Sequence, residues 1–147
     1  MRFVHESLIP APPETVFAFH ERPDALERLV PPWEHVEVVQ AAPSLQPGSR
    51  AILRMRVGPL KLFWEAEHTR YQKNVLFQDV QLRGPFSKWQ HTHSFTAAPG
   101  GTLLRDEVEY ELPLGFLGAL FGGPLVRRKL ERMFAFRHEV TRKACAA

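Results

Sequence analysis

Between His35 and Leu112 apolar and polar residues alternate with a period of two, the pattern of strands that bury one face and wet the other. Short punctuating groups divide this region: Pro47-Gly48, Gly58-Pro59, Gln72-Lys73-Asn74, Gly84-Pro85 and Ala98-Pro99-Gly100-Gly101. Each is short enough to be a hairpin connection. The pattern predicts strands over 35–40, 50–57, 60–71, 75–83, 87–96 and 102–112. An earlier strand, 3–9, places Phe3, His5, Ser7 and Ile9 on one face. Pro10 to Pro13 ends it and opens a short helix over 14–20, since proline suits a first helical turn and Glu14 complements the dipole there. Pro23 and Asp24 open a second short helix through Leu29, which Pro31-Pro32 must end.

After Pro113 the period changes to that of a helix. Gly115 to Phe121 reads as one or two turns, interrupted by Gly122-Gly123-Pro124. From Pro124 to about Lys143, Val126, Leu130, Met133, Phe134, Arg137 and Val140 form an apolar stripe wide enough to cover a sheet face. The order predicts an α+β domain over residues 1–147, a curved antiparallel sheet of about seven strands covered by the one helix long enough to do so.

Composition narrows the classes. At 147 residues the chain buries a core without metals or disulfides. Eleven Phe and three Trp provide for a wide core or an aromatic-lined pocket. The net charge of +3 is spread out. Its densest stretch, Arg127, Arg128, Lys129 and Arg132, accompanies no nucleic-acid motif, so no nucleic-acid partner is expected. No apolar run reaches bilayer length, which leaves peripheral contact as the only expected membrane association. The N-terminus lacks a signal peptide, and the single cysteine, Cys145, lies where termini fray; a cytoplasmic location follows. The sequence does not set the oligomeric state.

The order of elements resembles the START-like superfamily, which includes polyketide cyclase/dehydrase and lipid-transport proteins, Bet v 1 allergens and coenzyme Q-binding proteins. The opening FVHESLIPAPPETVFAFH is similar to that superfamily's first strand, Ala-Pro turn and Val-Phe helix. LVPPWEHVEVV, FQDVQLRGPFSKWQHTHSF and LRDEVEYELPLG resemble a bacterial subgroup labelled cyclase/dehydrase or SRPBCC, whose members occur alone or fused to a nucleotide-sugar epimerase-like domain. The resemblance covers nearly the whole chain. It implies a helix-grip fold and a cavity between sheet and terminal helix, but not which ligand or reaction.

The sharpest chemistry is on the strand over 87–96. Its even positions are polar, so Trp89, His91, His93 and Phe95 face the helix. On the next strand Leu104, Asp106, Val108 and Tyr110 share that face. Pairing Ala97 with Thr102 sets His93 opposite Asp106; a shift of two sets His91 there instead. Three roles fit His91, His93 and Asp106: a hydrogen bond between buried polar groups, a polar patch that orients a ligand, or acid–base catalysis. His-X-His on a strand also suits a metal, but no third ligand is placed by the sequence, and neither metal nor cofactor is expected. Trp64 and His68 point inward from the strand over 60–71. Asp79 and Gln81 join them only if a bulge, expected near Gly84-Pro85, reconciles the two flanking turns.

The expected function is binding of a small hydrophobic ligand: a lipid, an isoprenoid or quinone, or an aromatic polyketide. The pocket would be lined by Trp64, Trp89, Phe95, Tyr110, Met133, Phe134 and Arg137, with the His/Asp group at its polar end. The alternatives are a cyclase/dehydratase-type enzyme with His91 or His93 as acid/base, and an accessory domain that meets a partner or membrane surface through Arg127, Arg128 and Lys129. Trp33, after two prolines, is a candidate gate.

Overall fold

A computed structural model of the chain describes residues 1–57 and 59–146; the turn expected at Gly58-Pro59 lies partly outside them. The elements are β1 (Arg2–Ile9), α1 (Pro13–His20), α2 (Ala25–Arg28), β2 (Val36–Gln40), β3 (Arg50–Val57), β4 (Leu60–Gln72), β5 (Leu76–Arg83), β6 (Lys88–Ala98), β7 (Gly101–Glu111) and α3 (Gly115–Cys145). The seven strands form one antiparallel sheet in the order β1-β7-β6-β5-β4-β3-β2. The two short helices and α3 cover its inner face. This is the helix-covered antiparallel sheet that the alternation predicts, in the helix-grip architecture that the resemblance implies. Among the described residues no helix is long and apolar enough to cross a membrane.

Register decides what meets on the inner face. β6 and β7 pair with Ala97 opposite Thr102, and so His93 opposite Asp106, His91 opposite Val108 and Trp89 opposite Tyr110. The hairpin needs Gly101, whose φ is 150° and whose added Cβ would stand 2.0 Å from the Ile9 carbonyl oxygen. Two rows of side chains then run across the sheet. One is Phe3, Val108, His91, Asp79 and His68; the next is His5, Asp106, His93, Phe77 and Tyr71.

The rows hold together because β4 and β5 slip past one another twice. The register shifts between His68 and Arg70, leaving Thr69 as the extra residue, and again between Glu65 and Ala66, opposite Leu82. The first shift turns the inward set of β4 from Trp64, Ala66 and His68 to Tyr71, and the Thr69 hydroxyl bonds Gln78. The irregularity expected beside Gly84-Pro85 is thus split between Thr69 and Leu82. Asp79 faces inward as a result.

Two expectations need correction. α3 is continuous from Gly115 to Cys145 and carries Pro124 inside it, rather than breaking at Gly122-Gly123-Pro124. Pro124 is exposed, so its ring meets solvent, and packing further along the helix offsets the backbone bond it lacks. Cys145 does not sit in a frayed end. It is buried against Ile9, Phe17 and Phe95, and burial pushes its thiol pKa up.

The core has two aromatic halves. Ile9, Phe17, Phe77, Phe95 and Leu104 fill one, under α1. Phe3, Trp89, Val108, Tyr110, Leu130 and Phe134 fill the other, under the middle of α3. The polar members of β6 and β7 lie between them.

Candidate functional site

Asp106 is the centre of the polar group. Its side chain is 6% exposed, yet it takes three contacts from imidazoles. His91 Nε2 lies 2.6 Å from Oδ1, His93 Nδ1 3.0 Å from Oδ1, and His138 Nε2 2.5 Å from Oδ2. Burial acts to raise the carboxyl pKa, but the three imidazoles, His93 foremost, outweigh it and hold Asp106 well below the usual carboxylate range. An ionised carboxylate only accepts, so each nitrogen facing it carries a proton. On the other side of its ring, His138 Nδ1 hydrogen-bonds with Ser7 Oγ at 2.5 Å. Ser7, His138 and Asp106 form a chain tying β1, α3 and β7 together.

Asp79 stands on the other side of the same two rings. Its Oδ2 is 3.4 Å from His93 Nε2 and 4.0 Å from His91 Nδ1. The His91 and His93 rings lie 3.7 Å apart, and Phe77 stacks on His93 at 3.9 Å. Desolvation depresses the His93 pKa, yet Asp106 and Asp79 together carry it above the ordinary histidine value. His91, beside the same carboxylates, is lowered by desolvation and then by His93. Two more histidines border the group. The His5 ring meets His138 edge-on at 4.5 Å, and His20, on α1, lies 6.1 Å from His93. Burial, followed by His93, lowers His20 to about 4. Of the seven histidines in the chain, only His35 lies away from this interior.

Two buried atoms have no partner among the described residues: His68 Nδ1 and Arg137 Nε. The Arg137 guanidinium lies 5.6 Å from the Phe134 ring, and burial lowers its pKa against the pull of Asp106 and Asp79.

The remaining expected residues divide between the walls. Phe134 meets His91 edge-on at 5.1 Å. Trp89, Tyr110, Trp64 and Met133 belong to the second aromatic half, with Trp64 edge-on to Trp89 at 5.0 Å. Phe95 packs under α1 against Phe17 and His20. Gln81 has the right parity but spends its amide on the turn, donating to the Phe86 carbonyl and accepting from the Phe86 amide; it does not join the histidines. Trp33 lies over Arg132 and against Phe136 on the outside of α3. Arg127 bonds the Arg2 carbonyl and stacks on Phe3.

The sequence reading missed His138, Ser7 and His5. His138 follows Phe134 by four, so it continues the buried stripe Leu130, Phe134, His138, Thr141, Cys145. Ser7 and His5 share the inward face of β1 with Phe3 and Ile9. Two surface grooves, of about 250 Å³ beside β2–β4 and about 330 Å³ around Met1 and Lys88, lie away from His91, His93 and Asp106.

Comparison with known proteins gives this geometry a context. The model of a family described as polyketide cyclase/dehydrase and lipid transport matches residues 9–136. No curated protein matches the chain. A Thermus thermophilus protein, TTHA0849, superposes with a TM-score of 0.74 at 22% identity, over 99% of this chain and all (100%) of that one. A nucleoside-diphosphate sugar epimerase from Corynebacterium glutamicum superposes at 0.77 and 28% identity over 96% of this chain, which spans only 28% of that one. The di-domain ARO/CYC StfQ of the steffimycin biosynthetic pathway superposes at 0.74 and 10% identity, over 98% of this chain and 50% of that one.

Proposed function

Because the chain belongs to the polyketide cyclase/dehydrase and lipid transport family, we propose that it binds a small molecule with an apolar body and an oxygen-bearing head between the sheet and α3. The observation that carries this reading is the pair of buried, partnerless atoms, Arg137 Nε and His68 Nδ1, set beside aromatic walls. A buried polar atom without a partner costs about 1–3 kcal/mol, and a ligand's carbonyl, carboxylate or hydroxyl would relieve it. Apolar burial against Trp64, Trp89, Met133 and Phe134 supplies the affinity. A lipid, an isoprenoid or quinone, or an aromatic polyketide fits this division. Pro124 inside α3 lacks a helical backbone donor, so the helix yields most readily there to admit the ligand.

The test is native mass spectrometry of protein purified from its own host, with identification of the co-purified molecule. Uniformly empty protein whose melting temperature fatty acids, quinones and polyketides all leave unmoved would count against the reading. Arg137→Met gives a sharper check. It keeps the packing on Phe134 and removes a charge that burial disfavours, so the empty protein should melt no lower than wild type while ligand affinity falls at least about tenfold, roughly 1.4 kcal/mol. A marked loss of stability would mean that Arg137 serves the fold.

A cyclase- or dehydratase-type enzyme in the same interior is a second reading, favoured by the 2.6 Å contact of His91 with Asp106, through which a carboxylate fixes an imidazole's tautomer for proton transfer. It requires turnover of a polyketide substrate that His91→Gln abolishes without abolishing binding.

A further inference from the structure

Asp106 takes up one nitrogen of His91 and one of His93, and both of those nitrogens carry protons. The opposite nitrogens, His91 Nδ1 and His93 Nε2, both face Asp79 Oδ2, at 4.0 Å and 3.4 Å. Two imidazole nitrogens and one carboxylate oxygen thus converge on a single buried point.

We propose that Asp79, His91 and His93 bind a divalent first-row transition-metal ion of the Zn²⁺ or Fe²⁺ type, with Asp106 steadying both imidazoles from behind. The donor set, two imidazoles and one carboxylate, suits such ions. His91 and His93 are two apart on β6, and Asp79 is opposite His91 on β5, so the sheet register alone brings the ligands together. One donor atom from each lies within 4.8 Å of the others. Ligands about 2.0–2.1 Å from a tetrahedral ion stand roughly 3.4 Å apart. The His93–Asp79 separation of 3.4 Å already matches, and His91–Asp79 at 4.0 Å needs a small ring rotation. Asp106 supplies the carboxylate that ligating histidines usually bond through their second nitrogen. Any proton resident on His93 Nε2 leaves to solvent as the ion enters. Three protein ligands leave at least one coordination position for water or for an oxygen of a bound molecule. The site goes beyond the ligand-binding reading and stands or falls separately from it.

The experiment is titration of the chelator-treated full chain with Zn²⁺ by calorimetry and with Co²⁺ by visible absorption. One ion per chain is expected, with the intense visible bands of Co²⁺ in a low-coordinate nitrogen–oxygen site. Asp106→Asn should weaken binding by about 10–100-fold. Asp79→Asn and His91→Gln should weaken it further, and His35→Ala, on the surface, should not change it. Circular dichroism shows which variants remain folded. Imidazole ¹⁵N spectra of the wild-type chain need no variant: Zn²⁺ should first perturb His91 Nδ1 and His93 Nε2. Absence of binding at millimolar ion, binding that survives Asp79→Asn and His91→Gln in folded protein, or a perturbation confined to His35 would each overturn the proposal.

Discussion

Asp106 takes three imidazole contacts in a place water scarcely reaches, and a single atom change should therefore be felt throughout the interior. Asp106→Ala strands three ring N–H groups at once and should cost about 3–5 kcal/mol, the range for breaking a buried charged pair, measured by urea unfolding. His20 makes a different prediction. Its folded pKa, about 4, lies below the ordinary histidine value of 6.5 because burial, and then His93, disfavour its charge. The groups around it are the Val16 carbonyl, which its Nδ1 bonds at 2.8 Å, the rings of Phe19, Phe77, Phe95 and His93, and more distantly Asp106 and His138. A depressed folded pKa gives stability that is present above pH 6.5 and lost as pH falls toward 4, because the unfolded chain takes a proton that the folded one refuses. At about 1.4 kcal/mol per unit the loss is on the order of 2–3 kcal/mol. His20→Phe, which fits the surrounding rings, should flatten the melting temperature between pH 6.5 and 4. Parallel curves for variant and wild type would remove His20 as the cause.

At the scale of elements, two backbone positions have opposite signs. Gly101→Ala places a Cβ 2.0 Å from the Ile9 carbonyl oxygen at a φ that side chains avoid. It should destabilise by about 2 kcal/mol or more and loosen the hold of β7 on β1. Pro124→Ala restores a helical backbone donor in the exposed interior of α3 and should stabilise, by up to about 3 kcal/mol. If α3 lifts to admit a ligand, the same variant should slow ligand uptake. Stopped-flow association rates distinguish that outcome from a gain in stability with unchanged kinetics. The strand alternation made the inward faces of β6 and β7 legible but left two registers open, and the structure takes the one that pairs Ala97 with Thr102 and sets His93 against Asp106. It could not place the bulge in β4, because a bulged residue reverses parity without leaving a compositional mark: Thr69 reads as an ordinary strand threonine.

For the whole molecule, the unusual feature is a polar seam between two aromatic half-cores. The halves supply the burial that holds the sheet against α1 and α3, and Phe134→Ala, which empties the contact between α3 and His91, should cost about 3–5 kcal/mol. The seam costs stability wherever an atom lacks a partner, which is why a bound molecule should matter globally. A ligand at one hundred times its dissociation constant should add about 2.7 kcal/mol to unfolding, and calorimetric melting with and without the co-purified molecule measures it directly.

By itself the sequence determined the helix-grip order, the inward set of β6 and β7 and the choice of His91, His93 and Asp106, because strand and helix periods are local properties that residue type reports. Asp79 depended on long-range register, which two bulges in the β4–β5 ladder adjust. His138, Ser7 and His5 carried the right spacing, but a histidine or serine on an apolar stripe acquires meaning only when folding brings a carboxylate from another strand to it. Whether Gln81 turns to the histidines or to Phe86 was likewise settled by tertiary structure, since its amide finds two backbone partners in the turn. The sequence thus named the central residues of the seam, and the crossing of β1, β5, β7 and α3 decided which atoms of them meet Asp106, Asp79 and His138.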